Sequence, residues 1–239
     1  MSEFSNAPLS AGPEPFYQTW LKALTRPNEQ NFAEIALSVG ASPNKAYLWV
    51  FLTSLVNMLV AFALQGVNMR QLRQFLPPEA GQYFSQPSGG FGLVNVLCGA
   101  PVSAAFSVLF FALSVALIQW IAKMLGGQGN YGKLVYVMGA IAAPLALVSA
   151  VLTLFSAIPF IGVLFGLVSM AVGLYGLFLN IAAVKGVNQF GWGQAAGAVL
   201  LPAVVLFLLV CCCLVGAFML MGPMIGDVFS TINQNLNMY

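Results

Sequence analysis

Histidine is absent from this sequence, and aspartate occurs once, as Asp227 near the C-terminus. Without imidazole, His-based acid–base chemistry, Ser–His dyads and His-ligated metals are excluded. All five glutamates precede residue 80. Charge of either sign is scarce, at 6% of residues, against roughly 25% in an ordinary soluble domain. The few ions leave four charge-free blocks, Ala46–Met69, Ala80–Ala122, Leu134–Val184 and Gly186–Gly226, which cover about two-thirds of the 239 residues. No carboxylate or ammonium in them can relay protons or pair with a coupling ion. With 60% hydrophobic residues, a soluble fold has too little polar surface. The chain reads as all-α, a polytopic membrane helical bundle.

A helix needs about 20 apolar residues to cross roughly 30 Å of hydrocarbon. Tyr47–Leu64 is the first such run, opened by Ser42-Pro43 as N-cap and first helical position. The second runs from about Leu93 to Ala122, one tilted span with a break near Gly99-Ala100-Pro101. The block Leu134–Val184 is too long for one helix and divides at Ser156-Ala157-Ile158-Pro159. After a polar turn, Asn188–Gly193, the last run is Gln194–Met221. Five transmembrane helices are expected. The domains are then an N-terminal segment (1–42), a membrane domain (43–221) and a tail (222–239). The tail, with Phe229, Ile232 and Leu236, suits either a short surface helix or a frayed end.

Lysine and arginine set the orientation. Lys22, Arg26, Lys45, Lys123, Lys133 and Lys185 fall on the N-terminal side of a five-span topology, and Arg70 and Arg73 on the other. This places the N-terminus in the cytoplasm and the C-terminus outside the cell membrane. Residues 1–42 carry four glutamates and no apolar h-region, so the first span is expected to act as its own insertion signal.

Lipid tails give helices no hydrophobic reason to associate, so small residues that admit close backbone approach carry packing information. The third span has Gly139, Ala143, Ala146, Ala150, Thr153 and Ala157 at alternating spacings of four and three. The fourth has Gly162, Gly166, Ser169, Gly173, Gly176 and Asn180 in the same rhythm. Each is a straight stripe on one helix face, the geometry of a left-handed pair. Joined by a short turn, the two stripes are expected to face each other, with Asn180 placed to bond across, and Gly166→Leu or Gly173→Leu to disrupt the bundle. In a second reading, one stripe lines a gap for a lipid or partner helix.

Ahead of the spans, Phe16, Trp20 and Leu24 share one helical face of Pro15–Arg26, with Tyr17 and Leu21 beside it. Gln18, Lys22, Thr25 and Arg26 are the polar complement. This is the pattern of an interfacial helix; packing against the end of the bundle is the alternative. Gly126-Gly127-Gln128-Gly129 lacks the strand before and the Lys or Ser/Thr of a phosphate loop, and reads as a flexible hinge between Lys123 and Lys133. Cys211-Cys212-Cys213 point about 100° apart around a helix, so they read as small apolar filler with Cys98. Met219, Met221 and Met224 nearby are soft ligands suited to copper(I), but no metal and no cofactor is expected.

Gly126-Gly127-Gln128-Gly129-Asn130-Tyr131, Pro144 within the third span, Ile158-Pro159 with Gly162, Tyr175, and Gly193-Gln194-Ala195-Ala196 resemble the Yip domain of the Ypt-interacting protein family. Trp20 through Arg26-Pro27 and Phe32 resemble the lead-in of bacterial members, and the similarity covers roughly residues 16–221. The resemblance implies five spans, a cytoplasmic N-terminus and no catalytic residues. Eukaryotic members bind prenylated Rab-type GTPases in vesicle traffic and carry an Asp-Leu-x-Gly-Pro motif. No aspartate precedes the first span here, so the resemblance points to a bacterial-type member.

The function expected is that of a non-enzymatic membrane-organising adaptor or accessory subunit. The competing class is a transporter, channel or lipid-moving protein, for which Pro101, Pro144 and Pro202 would break helices near midplane. A polar cavity at the level of Asn57, Ser107 and Ser149 would mark that class. The partners expected are membrane lipids and either another membrane protein or a second copy of the chain, with no nucleic acid.

Overall fold

Prolines and glycines set most of the helix boundaries. The computed structural model describes residues 15–73, 98–156, 158 and 161–236. Among these the chain forms seven helices: α1 (Phe16–Thr25), α2 (Glu29–Leu37), α3 (Pro43–Arg73), α4 (Ala100–Met124), α5 (Tyr131–Ser156), α6 (Gly162–Asn188) and α7 (Trp192–Leu236). Five stretches are long and apolar enough to cross a membrane: Pro43–Leu64, Ala100–Met124, Tyr131–Ser156, Gly162–Asn188 and Trp192–Gly216. Pro43 opens α3, where its missing N–H would be unsatisfied anyway. Pro101 lies in the first turn of α4, directly after a π-helical turn at Cys98-Gly99, so the helical form changes at Gly99-Ala100-Pro101, where a break was expected. Residues 93–97, expected in this span, lie outside the described residues, as do Ala157 and Pro159. At the end of α6, Gln189 takes the left-handed conformation with φ 55°, a helix stop usually given to glycine. α7 continues past residue 222 to Leu236. Ile225, Val228, Phe229, Ile232 and Leu236 repeat at helical spacing, so the tail carries its own helical pattern.

The chain divides into two units, Met1–Ala198 and Val199–Tyr239. In the first, α5 packs against α1, α2, α3, α4 and α6. Half of its most apolar stretch is buried, against 17% for α3 and α4 and 11% for α6. From Leu134 to Ile141 every residue of α5 is buried, so it is enclosed on all sides, as a helix apolar all round should be. Its neighbours turn Leu48, Leu52, Phe106, Phe110, Leu164 and Leu167 outward, where lipid takes the place of a protein core.

The two small-residue stripes do not face each other. Gly139 lies against α3: a methyl group there would come within 2.6 Å of the Ala46 Cβ. Further along the same pair, the Asn57 amide of α3 donates to the Ala146 carbonyl at 2.8 Å. Ala143 and Ala150 are buried, while Thr153 is exposed and returns its hydroxyl to the Ser149 carbonyl. On α6, Gly166, Ser169 and Gly173 are exposed, and a methyl on Gly166 or Gly173 would meet nothing within 4 Å. Gly162 abuts the Ser156 carbonyl of its own turn, Asn180 is half-buried, and Gly176 lies under Leu145 of α5. The reason is size: Ala46 opposite Gly139 lets α3 approach α5 closely, whereas Leu145 fills the space between α5 and α6. The expected disruption by Gly166→Leu or Gly173→Leu is corrected accordingly.

Candidate functional site at the lysine-rich end

The start of α3, the end of α4, the start of α5 and the end of α6 bring Lys45, Lys123, Lys133 and Lys185 to one end of the first unit. There the glycine-rich connection of α4 to α5 is fastened, not free. Gly126 has φ +93°, a backbone state costly for other residues. Gly127 and Gly129 are required by a neighbour: a methyl on them would lie 2.8 and 2.5 Å from Oδ1 of Asn188. Asn188, the last residue of α6, is fully buried. Its Oδ1 accepts from the Gly129 N–H at 3.1 Å and from Nε2 of Gln119 at 3.0 Å, and its Nδ2 donates to the Val184 carbonyl at 3.0 Å. Gln119 Nε2 also donates to the Gly129 carbonyl at 2.8 Å, and the Gln128 N–H to the Asn188 carbonyl at 3.2 Å. Buried amides need such partners; the glycine turn supplies them to Gln119 Nε2 and Asn188 Oδ1, while Gln119 Oε1 is buried without one. The turn is therefore a knot between α4 and α6, which corrects the expectation of a hinge. Next to it, the Tyr131 hydroxyl bonds Tyr47 of α3 at 3.0 Å and donates to the Ala112 carbonyl of α4 at 3.1 Å. Pro144 is buried farther along α5.

α1 and α2 form a clasp on this end. Asn31 fixes their elbow, its Nδ2 donating to the carbonyls of Lys22 at 3.0 Å and Arg26 at 2.9 Å. The inward side of α1 is Thr19 and Ala23, both buried, and α1 packs on α5. Trp20 meets Trp49 edge-on at 5.8 Å, Trp49 leans on Tyr136 at 5.3 Å, and the Tyr175 hydroxyl donates to the Leu24 carbonyl. Phe16, Tyr17 and Leu21 remain exposed. The expected face of Phe16, Trp20 and Leu24 is thus split: the smallest side chains admit the closest approach to α5, which draws Trp20 and Leu24 half inward and leaves Phe16 outside.

Phe32 of α2 is fully buried. Its Cβ and the Glu29 carbonyl lie over Gly186, where any side chain would collide with them. Glu29 pairs with Lys185, whose Nζ stands 4.4 Å above the Trp192 ring; Trp192 in turn stacks on Phe178 at 6.0 Å. Between α2 and the end of α6 is a cavity of about 340 Å³, lined by Glu29, Gln30, Ala33, Lys185, Gln189 and Phe190.

At mid-span, polar side chains bond helix carbonyls. Asn57 donates to Thr53 as well as to Ala146, Ser107 donates to Ser103 at 3.0 Å, and Ser169 to Phe165 at 2.8 Å. Cys98, Cys212 and Cys213 are exposed and Cys211 is half-buried. Gln119 and Asn188 escaped the sequence reading, although a lone amide beside a glycine-rich turn was a usable signal. The Glu29–Lys185 pair had none, since its members lie far apart in the chain.

The Yip1 domain profile matches residues 21–214. The chain belongs to the Yip1 domain family. That span takes in the second half of α1, all of α2, the glycine knot and every candidate membrane span up to Leu214. No curated protein and no solved structure matches the chain. As a Yip1-domain protein it is a multi-span membrane protein of a generally non-enzymatic family.

Proposed function

We propose that this Yip1-domain protein is an adaptor or accessory subunit of a cell-membrane complex, of the bacterial type, with its N-terminus cytoplasmic and its C-terminus outside. The observation that carries this reading is the clasp. α1 is anchored to the spans by Thr19, Ala23 and the Tyr175–Leu24 bond, yet presents Phe16, Tyr17 and Leu21 outward. A rigidly mounted aromatic face is suited to gripping a partner at low entropic cost. The bond from Asn57 to the Ala146 carbonyl of α5 supports the same reading over transport, because that amide is engaged in holding two helices together; Ser107 bonds the Ser103 carbonyl of its own helix.

The test is purification of the tagged full chain in mild detergent, with mass spectrometry of bound proteins and lipids, beside the variant Phe16→Ala/Tyr17→Ala/Leu21→Ala. A stoichiometric protein partner lost in the variant is expected. Enriched lipid with no protein partner would overturn the adaptor in favour of lipid handling, which flux measurements in liposomes would then examine.

A further inference from the structure

The cavity beside Glu29 and Lys185 has a chemistry that the adaptor reading does not use. Its depth is marked twice. Lys185 lies in the last turn of the span Gly162–Asn188, and Trp192 opens the next. Lysine and tryptophan at span ends sit at the level of lipid headgroups. Its charge is balanced: one carboxylate, one ammonium and the amides of Gln30 and Gln189. A simple anion there meets Glu29 and a simple cation meets Lys185, so neither is favoured. A ligand carrying both charges on a short linker satisfies both walls at once.

The walls are also held in place. Lys185 is 17% exposed and Glu29 40%, the Lys185 Nζ is kept over Trp192, and α2 cannot slide away from Gly186 without opening the contact with Phe32. The volume of about 340 Å³ stands at the small end of the roughly 300–1,000 Å³ of small-molecule sites, enough for a headgroup but not for acyl chains. A primary ammonium brings three N–H donors, which the Glu29 carboxylate and two amide oxygens can accept; a quaternary ammonium brings none.

We infer that this recess binds the headgroup of an ethanolamine phospholipid, its ammonium on Glu29 and its phosphate on Lys185. The Glu29–Lys185 contact is then exchanged for one contact at each end of the ligand. The site does not depend on the partner surface of α1 or on which side of the membrane the N-terminus lies.

The experiment is native mass spectrometry of the delipidated full chain, titrated with ethanolamine, choline and glycerol phospholipids of identical acyl chains. The ethanolamine lipid is expected to bind at least about tenfold more tightly than either of the others. Glu29→Gln should erase that preference. Ala33→Trp, which fills the recess and keeps both charges, should abolish it even if the Glu29 variant fails to fold. Equal binding of the three lipids to the native chain, or undiminished ethanolamine-lipid binding to Ala33→Trp, overturns the site. Competition by soluble phosphoethanolamine as strong as by the lipid overturns the lipid assignment, and competition by inorganic phosphate alone overturns the zwitterion.

Discussion

Three glycines in one turn serve two different purposes, and substitution separates them. Gly129 is pressed against Asn188 Oδ1 at 2.5 Å and the Val187 carbonyl at 2.9 Å of a would-be Cβ, whereas Gly126 opens onto empty space and needs only its positive φ. Gly129→Ala is expected to destabilise by about 1–3 kcal/mol through overpacking and loss of the Asn188 bond. Gly126→Ala should cost nearer ~1 kcal/mol, from backbone conformation alone. Thermal unfolding of both variants in detergent, with Asn188→Ala as the reference for losing the knot, checks the order. An equal loss for both glycines would mean that the contact of Gly129 with Asn188 adds nothing beyond backbone conformation. The turn itself was readable in the sequence, because glycine clusters interrupt helices wherever they fall. Its rigidity was not, because the residue that ties it, Asn188, comes 59 positions after Gly129 and resembles any polar residue at a helix end.

At the level of helices, number and length were legible because the bilayer imposes both. Five spans follow from counting apolar runs, and the turn after Ser156 from a proline. Face-to-face contacts were not legible in the same way. In a soluble helix the polar side announces which side is outside; here both the lipid side and the protein side are apolar, and hydrophobic periodicity loses its meaning. Small-residue stripes seemed to supply the missing direction, yet Gly166 and Gly173 open outward while Gly139 carries a backbone contact. The same contrast gives a test. Gly139→Leu should force α3 from α5 and yield aggregated or poorly expressed protein, since overpacking costs about 1–3 kcal/mol or more. Gly173→Leu should leave a monodisperse peak by size-exclusion chromatography; a collapse with Gly173→Leu and tolerance of Gly139→Leu would invert the helix neighbours described above.

For the molecule as a whole, the cation distribution and the fold agree on grouping: the lysines that charge counting puts on one side of the membrane are those gathered around the glycine knot and the clasp. The proposed orientation makes this the cytoplasmic end. A reporter active only in the cytoplasm, fused ahead of residue 1, should function, and the same reporter fused after residue 239 should be silent. Activity at both ends would contradict an odd number of crossings, and activity only at the C-terminal end would invert the membrane domain.

The clasp precedes in the chain every span that holds it. Trp20 waits for Trp49 and Tyr136, the Leu24 carbonyl for Tyr175, and Phe32 for Gly186, so α1 and α2 can dock only once the fourth span has been synthesised almost to its end. Until then the clasp lacks the part of its cover that α6 supplies. Its complete docking therefore requires the first, third and fourth spans to be in place together.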